Sequence, residues 1–260
     1  MNKKILLALI VVLVAVCGVS TYFHIKDRIE SEENKKMYET VAEEVSATED
    51  ITAVSASKAA VNPYTEYKDG GRGNSNTQSY TDTMTFADNP DMVGWIKIDG
   101  TNINYPVMHT PSNPQKYLNK NFYGEYSFSG TPFLDARCSA DSTNLIIYGH
   151  HMNNGTMFAD LCNYTDYSYF AEHPTVVLET KDGVFAYSVF SVMKVKSDDD
   201  WYRFTTVGTE KSYNSRIEYA KEKSIYDTGI TPVYGQQILT LSTCYGDNQN
   251  DRILVLAVRN

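Results

Sequence analysis

From about residue 94 onward the chain breaks into short apolar segments of β character, each ended by a turn signal, and no other feature restricts its possible folds as tightly. The segments are Gly94–Ile98, Ile103–Val107, Leu145–Tyr148, Val176–Glu179, Val184–Val195, Gln237–Ser242 and Ile253–Val258. Asp99-Gly100 and Asp182-Gly183 fall between neighbouring pairs, where tight hairpin turns are expected. Twenty tyrosines and 12% aromatic residues fit the same reading, because aromatic and β-branched side chains pack well on pleated surfaces. One helix is expected over Thr209–Lys223, where Tyr213, Ile217 and Ala220 share a face. Shorter helices are expected near Met157–Leu161 and before Asn89. Many short strands with helices confined to the connections predict a mainly β domain, a barrel or sandwich, over residues 83–260.

The chain before that domain reads differently. Ile5–Phe23 is uncharged and largely apolar, and as a helix at about 1.5 Å per residue it nearly crosses a hydrocarbon layer of ~30 Å. Residues 1–25 are therefore expected to form a short cytoplasmic tail and a transmembrane anchor. The run is longer than the apolar part of a signal peptide and no A-x-A cleavage site follows it. Lys3 and Lys4 precede the span while Lys26, Arg28, Lys35 and Lys36 follow it, so charge alone does not orient it. Residues 26–82 are charged and Ala/Glu-rich, then rich in Gly, Asn, Ser and Thr, a composition that predicts a stalk, partly helical or disordered.

The formal charge is −9, from 23 Lys and Arg against 32 Asp and Glu, which argues against a nucleic-acid partner. Four scattered cysteines, Cys17, Cys138, Cys162 and Cys244, do not make a disulfide scaffold. A zinc site drawn from Cys138, His150, His151, Cys162 and His173 would lack the close ligand pairs that such sites use, so no metal is expected. Cys138 and Cys162 read as packing residues.

Three strand ends carry reactive groups. Tyr148-Gly-His-His-Met152 closes one, Thr240-Leu-Ser-Thr-Cys244 another, and Asp251-Arg252 opens a strand that is apolar on both faces and hence central. Period two puts Tyr148 with His150, and Thr240 and Ser242 with Cys244; His151 points away from the His150 face. A thiol becomes a nucleophile when a base or a nearby cation favours its thiolate. Imidazole can take that proton and later return it to a leaving amine. A guanidinium, which keeps its proton, can donate to a developing oxyanion. If the three strands are neighbours, Cys244, His150 and Arg252 make an acyl-transfer site.

At these residues the chain resembles the sortases, membrane-anchored cysteine transpeptidases of Gram-positive bacteria. Thr240-Leu-Ser-Thr-Cys244 matches their T-L-x-T-C signature, with Arg252 following, and Tyr148-Gly-His-His-Met152 through Gly155-Thr-Met-Phe158 resembles the His segment of the class B branch. The resemblance spans residues 83–260 and implies a sortase-like closed β-barrel with peripheral helices, preceded by a membrane anchor and stalk. It implies Cys244 as nucleophile, His150 as acid/base and Arg252 as oxyanion donor, with no cofactor. Tyr148, Ser242, Thr243 and Leu118 match positions of the peptide groove, although Asn113-Pro114 departs from the family's spacing before Leu118. The connection from Lys196 to Pro232 matches the branch's specificity loop. The implied partners are secreted proteins with a C-terminal sorting motif of the N-P-x-T type and a peptidoglycan precursor or cross-bridge amine. The implied location is the cell membrane, with the N-terminus inside and the catalytic domain outside. A cysteine peptidase that releases the thioester to water, or a non-catalytic surface-binding β domain, are the alternative readings of the same residues.

Overall fold

The computed structural model describes residues 89–246 and 248–260, together with helical residues 13, 17–22, 25–26, 28–29, 32–33 and 36–38. Most of the expected anchor and stalk, and the helix expected before Asn89, lie outside the described residues. Among the described residues no helix is long and apolar enough to cross a membrane. Tyr38, within the segment expected to be stalk, is 3% exposed; its ring meets Tyr105 edge-on at 5.3 Å and its hydroxyl lies 3.3 Å from Thr131 Oγ1. At Tyr38 the segment therefore touches the domain.

Eight strands close a barrel in the order β1-β2-β3-β4-β7-β8-β6-β5. They are β1 Met92–Lys97, β2 Asn104–Met108, β3 Phe133–Leu134, β4 Asn144–Tyr148, β5 Thr175–Thr180, β6 Gly183–Lys196, β7 Ile238–Cys244 and β8 Asp251–Arg259. Seven were legible in the sequence, and the barrel decides between the two β architectures expected. The two-residue β3 was missed, since a strand that short carries no period. The β1–β2 hairpin turns at Gly100, whose φ of +76° suits a residue without Cβ, and an added Cβ would lie 2.7 Å from the His173 ring. Among the named strand pairs, β2–β3 and β4–β7 run parallel and the others antiparallel.

Alternation along the central strands divides the core in two. Leu145, Ile147, Leu239, Leu241, Ile253, Val255 and Ala257 join the larger apolar cluster, while Ile146, Ile238, Leu254, Leu256 and Val258 join a second. The second cluster is completed by the β6–β7 connection, which supplies Trp201, Phe204, Tyr213, Ile217 and Ala220. Within it, a 3-10 turn spans Asp200–Arg203 and a helix, α2, spans Glu210–Glu222. Thr209 caps α2 by accepting from Ser212 N, so the helix expected from periodicity is present almost to its bounds. The short helix expected near Met157 is a 3-10 turn, Ala159–Thr165, and the α-helix α1, Tyr167–Glu172, follows it unforeseen.

A buried polar relay fastens the connection to the barrel. Trp201 Nε1 donates to Thr240 Oγ1 at 3.0 Å, Thr240 Oγ1 donates to Asn144 Oδ1 at 2.8 Å, and Asn144 Nδ2 donates to the Phe204 carbonyl at 2.8 Å. Asn144, Trp201 and Thr240 are fully buried, so each link removed strands a group away from water. Thr240→Val keeps the side-chain volume but leaves the indole N–H and the Asn144 carbonyl oxygen unpaired. We expect it to cost about 1–3 kcal/mol of unfolding free energy, read from the urea midpoint; an unchanged midpoint would remove the relay from the account of stability.

Candidate active site

The site is set by backbone register. β4 and β7 pair in parallel with Tyr148 opposite Ser242, and Gly149 N extends the ladder by donating to Ser242 O at 3.1 Å. Two residues beyond that pair, His150 lies in the loop that follows β4 and Cys244 is the last residue of β7. On the other side of β7, the antiparallel pairing places Cys244 opposite Arg252. Three segments remote in sequence thus end at one edge of the barrel, and His150, Cys244 and Arg252 all line one open groove of about 740 Å³. The nucleophile candidate is half-buried, as are His150 and Arg252.

Gly149 is where the chain turns from β4 into the loop, and a Cβ there would fall 2.6 Å from the ring of buried Phe158. Phe158 N donates to the His150 carbonyl at 2.9 Å, which fixes the backbone at that residue. The His150 ring lies 2.8 Å through Nε2 from the Leu118 carbonyl, in the 3-10 turn Lys116–Asn119. A carbonyl only accepts, so Nε2 carries a proton and Nδ1 is the nitrogen left to exchange one. His151 goes elsewhere, as period two predicts. It is exposed, bridges Met157 in the backbone, and holds Nδ1 3.9 Å from Cys162 Sγ. Cys162 Sγ lies 3.7 Å from the Cys244 carbonyl oxygen, and burial, with Cys244 nearby, pushes its thiol up to about 11.

Arg252 is held by its own loop, with Nη1 donating to the carbonyls of Gln249 at 2.6 Å and Asp251 at 2.9 Å. Two backbone acceptors anchor one end of the guanidinium, and its other donors remain at the groove.

Of the residues expected in the peptide groove, Leu118, Tyr148, Ser242 and Thr243 all line it. Their side chains differ in reach. Ser242 is buried, its hydroxyl 2.8 Å from that of Tyr202. Thr243 pairs with Ile253 on the barrel's inner face, and its buried hydroxyl has no hydrogen-bond partner among the described residues. A bound chain would meet Thr243 through its backbone. The departure at Asn113-Pro114 puts Pro114 and Gln115 into the groove wall next to Leu118.

The sequence did not reveal what braces Tyr148. Tyr148 donates to Asp135 Oδ2 at 2.7 Å, and Arg137 grips the same carboxylate through Nε at 2.8 Å and Nη2 at 2.7 Å. Arg137 Nη2 also donates to the Tyr202 carbonyl at 2.7 Å, and the Tyr148 and Tyr202 rings stack with centroids 6.1 Å apart. Burial pushes the Asp135 carboxyl up, but the Arg137 fork and the Tyr148 hydroxyl outweigh it and hold the group below its usual range. Burial drives Tyr202 up to about 12 and Tyr148 well above its ordinary value, so both stand as neutral phenols. Asp135-Ala-Arg137 follows a two-residue strand and has no motif around it; only the carboxylate at a strand end offered a signal. Among the described residues no group of three or more His, Cys, Asp or Glu is arranged to hold a metal ion.

A barrel that brings a thiol, an imidazole and a guanidinium to one groove between neighbouring strands defines a cysteine acyl-transfer enzyme. A family model for the sortase domain matches residues 96–260, and the chain belongs to the sortase family, whose members are cysteine transpeptidases. It is 34% identical over 174 residues to sortase B of Staphylococcus aureus, covering 65% of this chain and 70% of that protein. To sortase B of Listeria monocytogenes it is 33% identical over 165 residues, covering 63% of this chain and 65% of that protein. Among solved structures, a Staphylococcus aureus sortase B–substrate complex superposes with a TM-score of 0.63 at 33% identity, covering 67% of this chain and 82% of the other. Clostridium perfringens sortase B superposes with a TM-score of 0.63 at 34% identity, covering 67% and 97%.

Asp135→Asn tests the groove wall. The folded-state carboxyl is held below its unfolded value, so the charged form stabilises the fold above the ordinary carboxylate range, and this is lost as pH falls through the lowered value. We expect the variant to be about 1–3 kcal/mol less stable near neutral pH, with the gap shrinking below about pH 4. Urea titrations at both ends of that range measure it; a gap that stays constant would refute the charged pairing.

Proposed function

We propose that the chain is a class B-type sortase, anchored by its amino-terminal apolar run with the catalytic domain outside the cell. It joins secreted proteins bearing a C-terminal N-P-x-T-like motif to a cell-wall amine. The observation that carries the reading is the register: Cys244 opposite Arg252, and His150 and Cys244 two residues beyond the Tyr148–Ser242 pair. The likeness to sortase B proteins, one of them solved with its substrate, supports the class and the groove as the peptide's place.

In this reaction the Cys244 thiolate adds to the carbonyl carbon of the motif's Thr. The oxygen gains negative charge, which Arg252 meets with a donor already fixed by the Gln249 and Asp251 carbonyls, so little reorganisation is needed. Collapse breaks the C–N bond, His150 passes its proton to the departing amine, and a thioester on Cys244 remains. A second amine then attacks the thioester, and the thiolate leaves. Tyr148 and Tyr202, stacked and braced by Asp135 and Arg137, form a wall against which the motif lies, and Leu118 lines the same groove.

The purified protein, a sorting-motif peptide and triglycine make the test. The wild-type protein should gain the acyl mass on Cys244 and yield peptide–triglycine product. Cys244→Ala should gain none. His150→Ala should lose transfer by about 10²–10⁴-fold, whereas His151→Ala keeps most of it. The reverse order of the two histidines would move the base to His151, and product that is hydrolysed peptide whether or not triglycine is present would make the enzyme a peptidase.

A further inference from the structure

Arg252 borders two depressions. Beyond it, on the side away from His150, lies a second pocket of about 320 Å³ in which Lys194, Lys196, Lys223 and Arg252 surround Val195 and the Tyr245 ring. Its sign opposes that of the whole chain: four cations face two carboxylates, in a protein of net charge −9. Both carboxylates are already engaged. Asp199, its side chain 8% exposed, accepts from Trp201 N, the Tyr219 hydroxyl and Lys223 Nζ. Asp251 is paired with Lys196. Lys194 has no carboxylate partner among the described residues; its ammonium lies 4.5 Å from the centroid of the Tyr245 ring. Nothing in the first acylation step uses it.

We propose that this pocket binds a carboxylate on the amine acceptor, with the carboxylate about three residues from the attacking nitrogen. The inference rests on the thioester chemistry proposed above and specifies the second substrate. With the acyl chain in the groove, Arg252, which lines both depressions and pairs with Cys244, offers an approach to the thioester from the basic pocket. The span can be read from the sheet: Cys244 pairs with Arg252 on β8, and Arg252 with Val195 on β6. Two strand spacings amount to about 9.5 Å, and three extended residues reach about 10 Å. An amine at the thioester carbonyl therefore sets a carboxylate three residues away beside Val195, at the strand edge where Lys194 and Lys196, though they leave β6 on its other face, line the same pocket as Arg252. The same cations disfavour protonation of the incoming amine, which must be neutral to attack. Its nitrogen bonds to the acyl carbon, the C–S bond breaks, and the ammonium proton passes through His150 to the departing thiolate.

Triglycine and triglycinamide, which differ only in the terminal charge, separate this idea from general acceptor binding. With saturating sorting-motif peptide and the full chain, the KM for triglycine should be about three- to fivefold below that for triglycinamide, the effect of one partly screened charge contact. Lys194→Gln should erase the difference by raising the triglycine KM alone, with Cys244 acylation in a single turnover unchanged, and Lys194→Arg should keep it. Equal KM values in the wild type, or a Lys194→Gln variant that weakens both acceptors alike, would overturn the proposal. Binding of the two peptides to the unacylated protein, followed by NMR shifts at Tyr245, is the arm that does not depend on turnover. If no sorting peptide acylates Cys244, the functional reading fails and the carboxylate site stands only if triglycine, and not triglycinamide, shifts Tyr245; without that shift it falls too.

Discussion

The hydrogen-bonded register of three central strands is the constraint on which the site depends. A slip of one residue between β7 and either neighbour would turn every side chain of one strand to the other face of the sheet. Cys244 would then leave the side shared by Arg252 and His150. Register is held so firmly because both faces are buried: Leu239 and Leu241 are locked into one apolar cluster and Ile238 into the other. Two cores enforce one alignment, and reactive residues at the strand ends inherit it.

The second cluster does more than stabilise. It seats the β6–β7 connection on the outside of the barrel through the Trp201–Thr240–Asn144–Phe204 relay, and that seating delivers Tyr202 to the groove. Tyr202 in turn completes a braced wall with Tyr148, Asp135 and Arg137. The groove is therefore preorganised by neutral phenols around one satisfied carboxylate, a rigid surface that loses little entropy when a peptide binds. On the far side of Arg252 the character changes to lysine side chains around Val195 and the Tyr245 ring. The difference suits a donor segment recognised by shape and an acceptor recognised by charge.

Much of this was legible. Period-two alternation located seven strands, and Tyr213, Ile217 and Ala220 located α2, because each pattern repeats over enough residues to stand out. Cys244, Arg252 and His150 were legible as strand-end residues, and alternation separated His150 from His151. Asp135 and Arg137 were not, since a two-residue strand has no period and a carboxylate satisfied from three directions looks like any other aspartate until the chain folds. Tyr202 was hidden for the same reason inside a connection whose residues touch only remote partners. Thr243 shows the converse: its motif position places it in the groove, where it stands, yet alternation turns its side chain inward.

By itself the sequence determined which residues alternate, which segments end in reactive groups, and which family they resemble, because these are properties of neighbours along the chain. Only the tertiary structure decided that β4, β7 and β8 lie side by side, that Leu118 meets the His150 ring, and that Arg252 faces two pockets. Those facts arise from hydrogen bonds and packing between residues up to a hundred positions apart, where no local pattern reaches.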